Sequence, residues 1–481
     1  MRNRREFLKN SSGLLAGGAA AGTLSVETRA QNAGGADADA ELARLQTARR
    51  ILLRGGIVLT LDRQIGDFGQ ADILIEDGKI REVRPEIAVS PDLTAVINAS
   101  ERIVIPGFVD THSHSFEGIL RSSLPNGTIF DPGYRETFED KLIPAFRPDD
   151  VHAGVLVTAL GMIDMGTTAV VDTSQINHSP EHSDALVHAF QEAGIRAVCA
   201  YSRGKGPLSQ YPQDVMRLRR SYFNSEDQLL TLAFATSIDP KTFAFVRENG
   251  LRAVLHISNN SQALIALRDA GLMREGDEYI HCAHLNDAAW RAIKETGGRT
   301  SHAPAIEMSM GHGMPSIQDA LDHGVRPSLS SDHTKVVAQD MFGIMRAVFD
   351  LQRLSILQRA RKGEQNLPPL VTPRDVLEFA TIEGARCANL DRRIGTLAPS
   401  KEADLVVLRA DGLDVWPHSN AYGTAANLMN PGHVETVFIA GKVKKWRGRL
   451  VGVDLPRVRR LALQSRDAVM ERAGFRIGLL D

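Results

Sequence analysis

The sequence has 481 residues, of which 43% are hydrophobic and 24% are charged, and its formal net charge is −2. This is the composition of an ordinary globular protein. The near-neutral charge gives no basis for binding nucleic acid. The length suits several domains, or one large α/β barrel with additions. The three cysteines are widely spaced and form neither a CxxC pair nor a disulfide framework.

The first 30 residues predict an export signal. A basic stretch, NRREFLK, precedes the apolar stretch SSGLLAGGAAAGTLS, which is too short and too mild to span a membrane stably. The paired Arg4 and Arg5, followed by x-Phe-Leu-Lys, resemble a twin-arginine signal, although Asn3 replaces the usual Ser or Thr. We therefore expect a signal peptide over 1–30, recognition by the twin-arginine export machinery, and a periplasmic or otherwise exported protein. The alternative is a disordered basic tail.

Short strand patterns flank the middle of the chain on both sides. Residues 31–48 have the composition of a flexible lead-in. Over 49–104, runs such as RILLRGGIVLTL and ADILIEDGKIREV combine β-branched residues with Gly-Gly and Asp-Gly turns. The same style returns over 391–452 in ADLVVLRA and VETVFIAGKVKKWRGRLV. We expect these two segments to form one small β-sandwich domain, followed by a helical extension over 453–481.

Between these flanks, over 105–390, strand-like and helix-like patterns alternate. The apolar runs lie at 103–114, 167–174, 196–203, 229–236, 252–258, 278–285, 299–305 and 326–333. Amphipathic segments such as DAAWRAIKETGG separate them, which indicates βαβ units and a parallel sheet buried on both faces. Eight such units predict a (β/α)8 barrel of the TIM type. A doubly wound open sheet is the alternative, but no Gly-x-Gly-x-x-Gly follows the first run to support a dinucleotide site.

Residues of the types that bind metals gather where these strands end. His112 and His114 lie two apart at the end of the first run, so their side chains share one face of a strand. Later runs carry further residues of this kind, namely His256, His281, His302 and Asp332. Because catalytic groups of a barrel cluster at the C-terminal ends of its strands, imidazoles and a carboxylate here can hold one divalent ion. Zn²⁺ is the first choice of ion, with Fe²⁺, Mn²⁺ or Co²⁺ as alternatives. The ordinary interpretation of the His-x-His pattern is a strand end that carries two surface histidines and binds no metal.

The order PGFVDTHSH, a strand-5 His, IHCAHL and a strand-8 Asp resembles the amidohydrolase superfamily. It is most similar to the cytosine-deaminase-like and triazine-hydrolase-like (chlorohydrolase) branch. The flanking stretches GGIVLTLD, ILIEDGKIREV and GTLAPSKEADLVVL agree, so the resemblance covers nearly the whole chain, from 50 to 450. It implies a metal-dependent TIM-type barrel that acts on small molecules.

Carried over residue by residue, the resemblance implies a single metal ion bound by His112, His114, His256 and Asp332. Asp332 would also take the proton from the attacking water and deliver it to the leaving group. His281 would polarise the substituent of the reacting carbon or orient the water. Two-metal members of the superfamily use a carboxylated Lys at the end of strand 4, where this chain reads AFATS. One ion is therefore expected.

The strand-5 segment departs from the family pattern. Deaminases of this branch read His-x-x-Glu, and that Glu protonates a ring nitrogen, whereas Asn259 stands here and cannot act as a general acid. SSDH also stands where relatives often have Gly-Thr-Asp. The other candidates for substrate contact or for the missing acid are Glu117, Arg121, Asn259, His302, Glu307 and His333. Each has an ordinary structural interpretation as well, such as an ion pair for Arg121.

The leading hypothesis is a metal-dependent hydrolase. Water would attack an sp² carbon of a cyclic amide, an amidine or a substituted heteroaromatic compound, and an amine, ammonia or another group would leave. Because the strand-5 Glu is missing, a metal-dependent decarboxylase, hydratase or isomerase is the second hypothesis. A catalytically silent, exported metal-binding protein is the third. We expect a small-molecule substrate, no nucleic acid and no stable membrane span, and a homo-oligomer remains open.

Overall fold

The structure is a computed structural model that describes residues 38–225 and 227–480. The export signal predicted over 1–30 lies outside these residues. Residues 38–47 form helix α1, within the segment 31–48 for which the sequence predicted a flexible lead-in, and residues 31–37 of that segment lie outside the described residues. Ala, Leu, Glu, Arg and Gln dominate the helical stretch, and these residues have high helix propensities.

Two β-sheets form the framework of the chain after that helix. In chain order the strands are β1 (Arg50–Val58), β2 (Phe68–Glu76), β3 (Lys79–Arg84), β4 (Ala95–Asn98), β5 (Arg102–Pro106), β6 (Phe108–Ser113), β7 (Thr167–Thr173), β8 (Arg196–Tyr201), β9 (Leu230–Thr236), β10 (Ala253–Ser258), β11 (Glu278–Ala283), β12 (Arg299–His302), β13 (Ser328–Leu329), β14 (Leu405–Arg409), β15 (Val434–Ile439), β16 (Lys442–Trp446) and β17 (Arg449–Leu450). Strands β1–β5 and β14–β17 make the first sheet, and β6–β13 make the second.

Helices alternate with the strands of the second sheet. The remaining α-helices are α2 (Pro132–Arg135), α3 (Pro148–Asp164), α4 (Pro180–Ala193), α5 (Asp214–Tyr222), α6 (Pro240–Glu248), α7 (Ser261–Asp269), α8 (Asp287–Glu295), α9 (Pro304–Met310), α10 (Ile317–Asp322), α11 (Met341–Arg361), α12 (Pro373–Ala380), α13 (Ile382–Cys387), α14 (Ala421–Gly423) and α15 (Leu455–Ala473). Short 3₁₀ or π turns lie at Ser115–Leu120, Glu136–Leu142, Ile143–Ala145, Thr424–Leu428 and Pro431–His433. Several helices begin with Pro, where a missing N–H breaks no intrahelical bond. In the part of the chain that the structure describes, no helix is long and apolar enough to cross a bilayer.

The first sheet joins the two ends of the chain, as the sequence predicted. Its strand order is β17-β16-β15-β14-β5-β1-β2-β3, and β4 also pairs with β1. The two chain ends meet at the antiparallel pair β14–β5, in which Val406 lies opposite Ile105. Both side chains are fully buried, so apolar packing holds this join together.

The second sheet is a parallel barrel. Its eight strands follow one another in the order β6 to β13. A parallel bridge between Ser113 of β6 and Asp332, which follows β13, closes the barrel. There the His114 N–H donates to Asp332 O, and the Asp332 N–H donates to His112 O, both at 2.9 Å. The (β/α)8 prediction is confirmed, and the closure joins two segments that carry predicted metal ligands.

The first predicted run, 103–114, is two strands that belong to different sheets. β5 ends at Pro106, and β6 begins at Phe108. Gly107 lies between them, where a Cβ would lie 2.1 Å from Thr168 Oγ1, so no larger residue fits. The chain therefore passes from one sheet to the other at a glycine that the surrounding apolar residues concealed.

A buried ion pair links the barrel to the first sheet. Arg196, at the start of β8, has no exposed side-chain surface. Its guanidinium donates to both carboxylate oxygens of Asp404, at 2.9 and 3.0 Å, and also to Glu402. A bidentate pair of this kind is strong, but a carboxylate left behind without its cation is costly to bury.

Replacing Arg196 with Met is expected to lower the free energy of unfolding by about 3–5 kcal/mol, because the buried carboxylate of Asp404 loses its cation. Urea denaturation followed by circular dichroism measures the change. Arg135→Met is the matched control, since Arg135 pairs with Glu139 on the surface. Its effect should stay below about 1 kcal/mol. Equal effects of the two substitutions would contradict the importance of the buried pair.

Candidate metal centre

The four side chains predicted as metal ligands converge at the C-terminal end of the barrel. His112 and His114 belong to β6, His256 belongs to β10, and Asp332 follows β13. His112 Nε2 lies 3.2 Å from His256 Nε2 and 3.4 Å from Asp332 Oδ1. His114 Nε2 also lies 3.4 Å from Asp332 Oδ1. His112, His114 and Asp332 are buried, and His256 is partly buried.

These separations fit a four-coordinate divalent ion. A zinc ion that is about 2.0–2.1 Å from each donor of a tetrahedron requires donors about 3.3–3.4 Å apart. The ligand atoms of His112, His114 and His256 all lie within 4.8 Å of one another. Imidazole nitrogens with a carboxylate oxygen suit Zn²⁺, and also Fe²⁺, Mn²⁺ or Co²⁺. The residues present therefore fit a bound divalent metal.

The ionisation of these side chains favours metal binding. Burial lowers the pKa of His112, His256 and His114, to about 3 in the case of His114, so the three imidazoles are neutral near pH 7. Burial by itself would raise the pKa of Asp332, but the imidazoles of His333 and His112 outweigh it and hold that pKa well below its usual range. Neutral imidazoles and an ionised carboxylate are the forms that bind metal ions.

Thr173, the last residue of β7, orients both ligands of β6. Its Oγ1 lies 3.1 Å from His112 Nδ1, and its carbonyl oxygen accepts a hydrogen bond from His114 Nδ1 at 2.8 Å. The proton that His114 donates from Nδ1 leaves the lone pair of Nε2 free for a metal ion. Sequence analysis missed this residue, which lies in the second apolar run.

Thr173→Val is expected to weaken zinc binding about 10- to 100-fold, because it removes the hydroxyl beside His112. Competition with a fluorescent chelator measures the affinity. Thr158→Val is the matched control, since Thr158 Oγ1 is buried in α3 and has no hydrogen-bond partner among the described residues. The control should bind zinc as the unmodified protein does. An unchanged affinity in Thr173→Val would refute the orienting role.

His281 and Glu307 form a second unit beside the four ligands. His281, in β11, places Nε2 3.8 Å from Asp332 Oδ2 and donates from Nδ1 to Glu307 Oε1 at 3.1 Å. Glu307 is buried, and the same oxygen accepts the Ala303 N–H at 2.9 Å. Burial by itself would lower the pKa of His281, but the hydrogen bond to Glu307 and the nearby Asp332 outweigh it and raise the pKa. With His112 and Asp332, His281 also offers an alternative set of metal donors.

The backbone is left-handed at several strand ends around the site. The φ angle is +68° at His281, +61° at Asp332 and +56° at Asn259. Such angles in non-glycine residues cost about 1–3 kcal/mol each and concentrate at functional sites. They break the strand geometry at these residues, and no periodicity in the sequence indicated them.

Glu117 lies in a buried ion pair. Its Oε2 accepts a hydrogen bond from Lys335 Nζ at 2.5 Å, and both side chains are buried. The Lys335 ammonium also lies 3.5 Å from the centre of the Phe138 ring. Burial raises the pKa of Glu117 to about 7, although Lys335 opposes the rise. The sequence offered Glu117 as a substrate contact or a replacement acid, and the structure assigns one oxygen of its carboxylate to Lys335.

Arg121 and His302 make contacts outside the ligand cluster. Arg121 is exposed and donates a hydrogen bond to Val157 O on α3 at 3.5 Å, and its contact with a substrate stays a prediction. The 3₁₀ turn Ser115–Leu120 immediately precedes Arg121 and packs on the same helix. His302 is fully buried in β12, with Nε2 3.0 Å from Thr300 Oγ1 of its own strand.

His333 and Asn259 lie next to ligand-bearing segments. His333 is buried, and its Nε2 lies 3.1 Å from Met310 Sδ. Asn259 is exposed just beyond β10, and its N–H donates to Ala283 O at 2.9 Å. Neither side chain is among the candidate metal donors, and a role of either in substrate binding stays a prediction.

Two further residues near the site were missed from the sequence. Lys335 follows Asp332 by three positions, and a lone cation so close to a predicted ligand was a usable signal. His312 lies between two glycines, and its ring is 4.7 Å from that of His281, centroid to centroid. That histidine comes from a loop, where strand and helix periodicity carry no information.

Known proteins resemble this chain over most of its length. A sequence model described as the amidohydrolase family matches residues 103–444. The 5-methylthioadenosine/S-adenosylhomocysteine deaminase of Caldicellulosiruptor saccharolyticus is 24% identical over 429 residues, which are 84% of this chain and 95% of that protein. The 5′-deoxyadenosine deaminase of Methanosarcina mazei is 24% identical over 454 residues, which are 88% and 99% of the two chains.

Solved structures share the fold. An adenosine deaminase from Xanthomonas campestris with bound zinc has a TM-score of 0.74 at 20% identity and covers 88% of this chain and 98% of its own. The atrazine chlorohydrolase of Arthrobacter aurescens, complexed with zinc, has a TM-score of 0.75 at 21% identity and covers 86% and 100%. Both of these structures contain zinc, and nearly the whole of each one aligns with this chain.

Proposed function

The chain belongs to the amidohydrolase family and is a hydrolase, and on that premise we propose that it uses one divalent metal ion, zinc, to hydrolyse a substituted nitrogen heterocycle. One observation carries the proposal. His112 Nε2 lies 3.2 Å from His256 Nε2 and 3.4 Å from Asp332 Oδ1, and Asp332 Oδ1 lies 3.4 Å from His114 Nε2, which is the spacing that a metal ion requires between its donors. Family membership favours hydrolysis over the decarboxylase, hydratase and isomerase hypotheses, and over a silent binding protein.

The relatives suggest the substrate class. Their names describe removal of an amino group from adenine nucleosides and hydrolytic removal of chloride from atrazine. In both kinds of compound the leaving group is attached to an sp² ring carbon next to a ring nitrogen. We propose a neutral ring of that type as the substrate, which corresponds to the deaminase-like and triazine-hydrolase-like branch of the family.

Asp332 is the proposed proton shuttle. A divalent ion bound at this site supplies Lewis-acid activation, which lowers the pKa of water towards neutrality. Asp332 Oδ2, the carboxylate oxygen on the side of His281, accepts a proton from the attacking water as its oxygen bonds to the ring carbon. The same carboxyl group then returns the proton to the leaving group as its bond to carbon breaks.

His281 and Glu307 are proposed to take over the task of the missing strand-5 Glu. Asn259 cannot protonate a ring nitrogen. Glu307 accepts the Nδ1 proton of His281 and thereby directs the other nitrogen, Nε2, towards Asp332 and the reacting centre. From there His281, protonated on both ring nitrogens, donates a hydrogen bond from Nε2 to the ring nitrogen and stabilises the negative charge that develops on it during attack.

Glu307→Gln is expected to lower kcat about 10²- to 10³-fold without changing the zinc content. Gln can still accept hydrogen bonds from His281 and Ala303, but it carries no charge, so the comparison isolates the effect of the charge. Glu295→Gln, on the exposed face of α8, is the control and should leave kcat unchanged. If Glu307→Gln turns over at the normal rate, the proposed role of the dyad is wrong.

Product analysis in ¹⁸O-water tests the proposed function. The zinc-loaded protein is incubated with adenosine, 5-methylthioadenosine and atrazine, and the release of ammonia or chloride is measured. Hydrolysis predicts one ¹⁸O atom in each product molecule. Product without ¹⁸O, as a lyase or isomerase would give, or no product from any of the three compounds would contradict the proposal.

Export is a separate proposal. The Arg4-Arg5 motif supports recognition by the twin-arginine machinery and a periplasmic location. Cell fractionation with immunoblotting tests it, and the protein should be recovered in the periplasmic fraction. Analytical ultracentrifugation gives the oligomeric state and thereby tests for a homo-oligomer.

A further inference from the structure

A short loop brings one more imidazole to the active site. Helix α9 ends at Met310, and Gly311, His312 and Gly313 follow it. The His312 ring lies 4.7 Å from the His281 ring, centroid to centroid, at an interplanar angle of 44°. The His312 side chain is half-buried, yet neither of its ring nitrogens has a hydrogen-bond partner among the residues that the structure describes.

The backbone of this loop is fixed on both sides of His312. His284 Nε2 donates a hydrogen bond to His312 O at 2.9 Å. The φ angles of Gly311 and Gly313 are +88° and +118°, and a Cβ on Gly313 would lie 2.5 Å from His284 Nε2. Both positions therefore favour glycine strongly. A fixed backbone that presents an unpaired imidazole beside the reacting groups is suited to contact a ligand.

Exposed apolar side chains lie beside the same loop. Phe130 is 76% exposed, Met308 44% and Met314 63%. A Cβ on Gly311 would lie 2.7 Å from the ring of Phe130, so this ring lies against the residue next to His312. Exposed apolar surface beside catalytic groups is typical of a ligand-binding surface. We call Phe130, Met308 and Met314 the apolar rim.

We propose that His312 binds the substrate by a hydrogen bond to a ring nitrogen or to the leaving group, and that the apolar rim covers an apolar substituent of the ring. A neutral imidazole offers one donor and one acceptor, which complement the acceptor and donor along the edge of an aminated nitrogen heterocycle. The inference rests on the proposed function, and it narrows the substrate to neutral rings that carry an apolar side group.

Substrate affinity in variants of His312 tests the inference. His312→Leu removes both polar atoms, and His312→Gln restores a donor and an acceptor. His188→Leu, at an exposed position of α4, is the matched control. KM and kcat are measured with the zinc-loaded protein for adenosine, 5-methylthioadenosine and atrazine where turnover occurs, and Kd is measured by calorimetry where it does not. Zinc content is determined for every variant.

His312→Leu should raise KM or Kd about tenfold at unchanged zinc content, and His312→Gln should recover part of the loss. Phe130→Ser should weaken the binding of 5-methylthioadenosine more than that of adenosine, because only the former carries the apolar methylthio group. Unchanged affinity in His312→Leu, or the absence of any binding, would overturn the inference. Binding that depends on His312 but leads to no hydrolysis would instead refute the proposed function alone.

Discussion

Asp332→Asn is expected to lower kcat about 10⁴-fold, at the upper end of what general acid–base catalysis contributes. Asn has nearly the same size as Asp. The hydrogen bonds that close the barrel between residue 332 and both His112 and His114 are made by backbone atoms, so they survive the substitution. The variant therefore loses the proton acceptor and keeps the fold. Its zinc affinity should also fall, because a carboxylate ligand is replaced by an amide oxygen.

Measuring kcat at saturating zinc separates the loss of the proton acceptor from the loss of metal. Asp322→Asn is the control, since Asp322 is exposed and accepts a hydrogen bond only from the neighbouring Gln318 among the contacts described. A zinc-saturated Asp332→Asn protein with a kcat within tenfold of the normal value would refute the shuttle. Asp332 would then be a metal ligand alone.

His112→Ala is expected to abolish stable zinc binding and, with it, activity. His112 belongs to both groups of candidate donors, the one with His114 and His256 and the one with His281 and Asp332. Without it, each set keeps only two donors. After dialysis, the zinc content should fall from about one ion per chain to near zero, because a structural or catalytic zinc site needs at least three protein ligands.

Elemental analysis of the dialysed protein measures this loss. His152→Ala is the matched control, because His152 lies on α3 and pairs with Glu192 at the surface. The control should keep its zinc. A His112→Ala protein that retains a full equivalent of zinc would show that the ion binds elsewhere, and the assignment of the His-x-His motif would be wrong.

The barrel could be predicted from the sequence because its strands are buried on both faces. Each of the eight apolar runs contains one barrel strand. The first run differs from the others because it also contains a strand of the first sheet, which Gly107 separates from the barrel strand. That division depends on the close approach of Thr168, which is far away in the sequence. Helix α1 was missed because the prediction for 31–48 rested on overall composition and did not consider the high helix propensities of residues 38–47.

The metal ligands could be predicted because parallel strands gather their C-terminal ends at one face of a barrel. The hydrogen-bond and ion-pair partners of the other candidate site residues could not be predicted from the sequence. Lys335 pairs with Glu117 across 218 positions, and Glu307 reaches His281 from a helix after the next strand. Such contacts depend on how loops of unequal length fold over the barrel, and neither strand nor helix periodicity describes them.

The proposed function depends on a single ion bound by His112, His114, His256 and Asp332. Anomalous diffraction at the zinc edge, from crystals of the zinc-loaded protein, locates that ion. We expect one peak per chain, about 2.0–2.2 Å from the four donor atoms, with His281 Nε2 outside bonding distance. A peak bonded to His281 in place of His114 and His256, a second peak beside the first, or no peak at this site would contradict it.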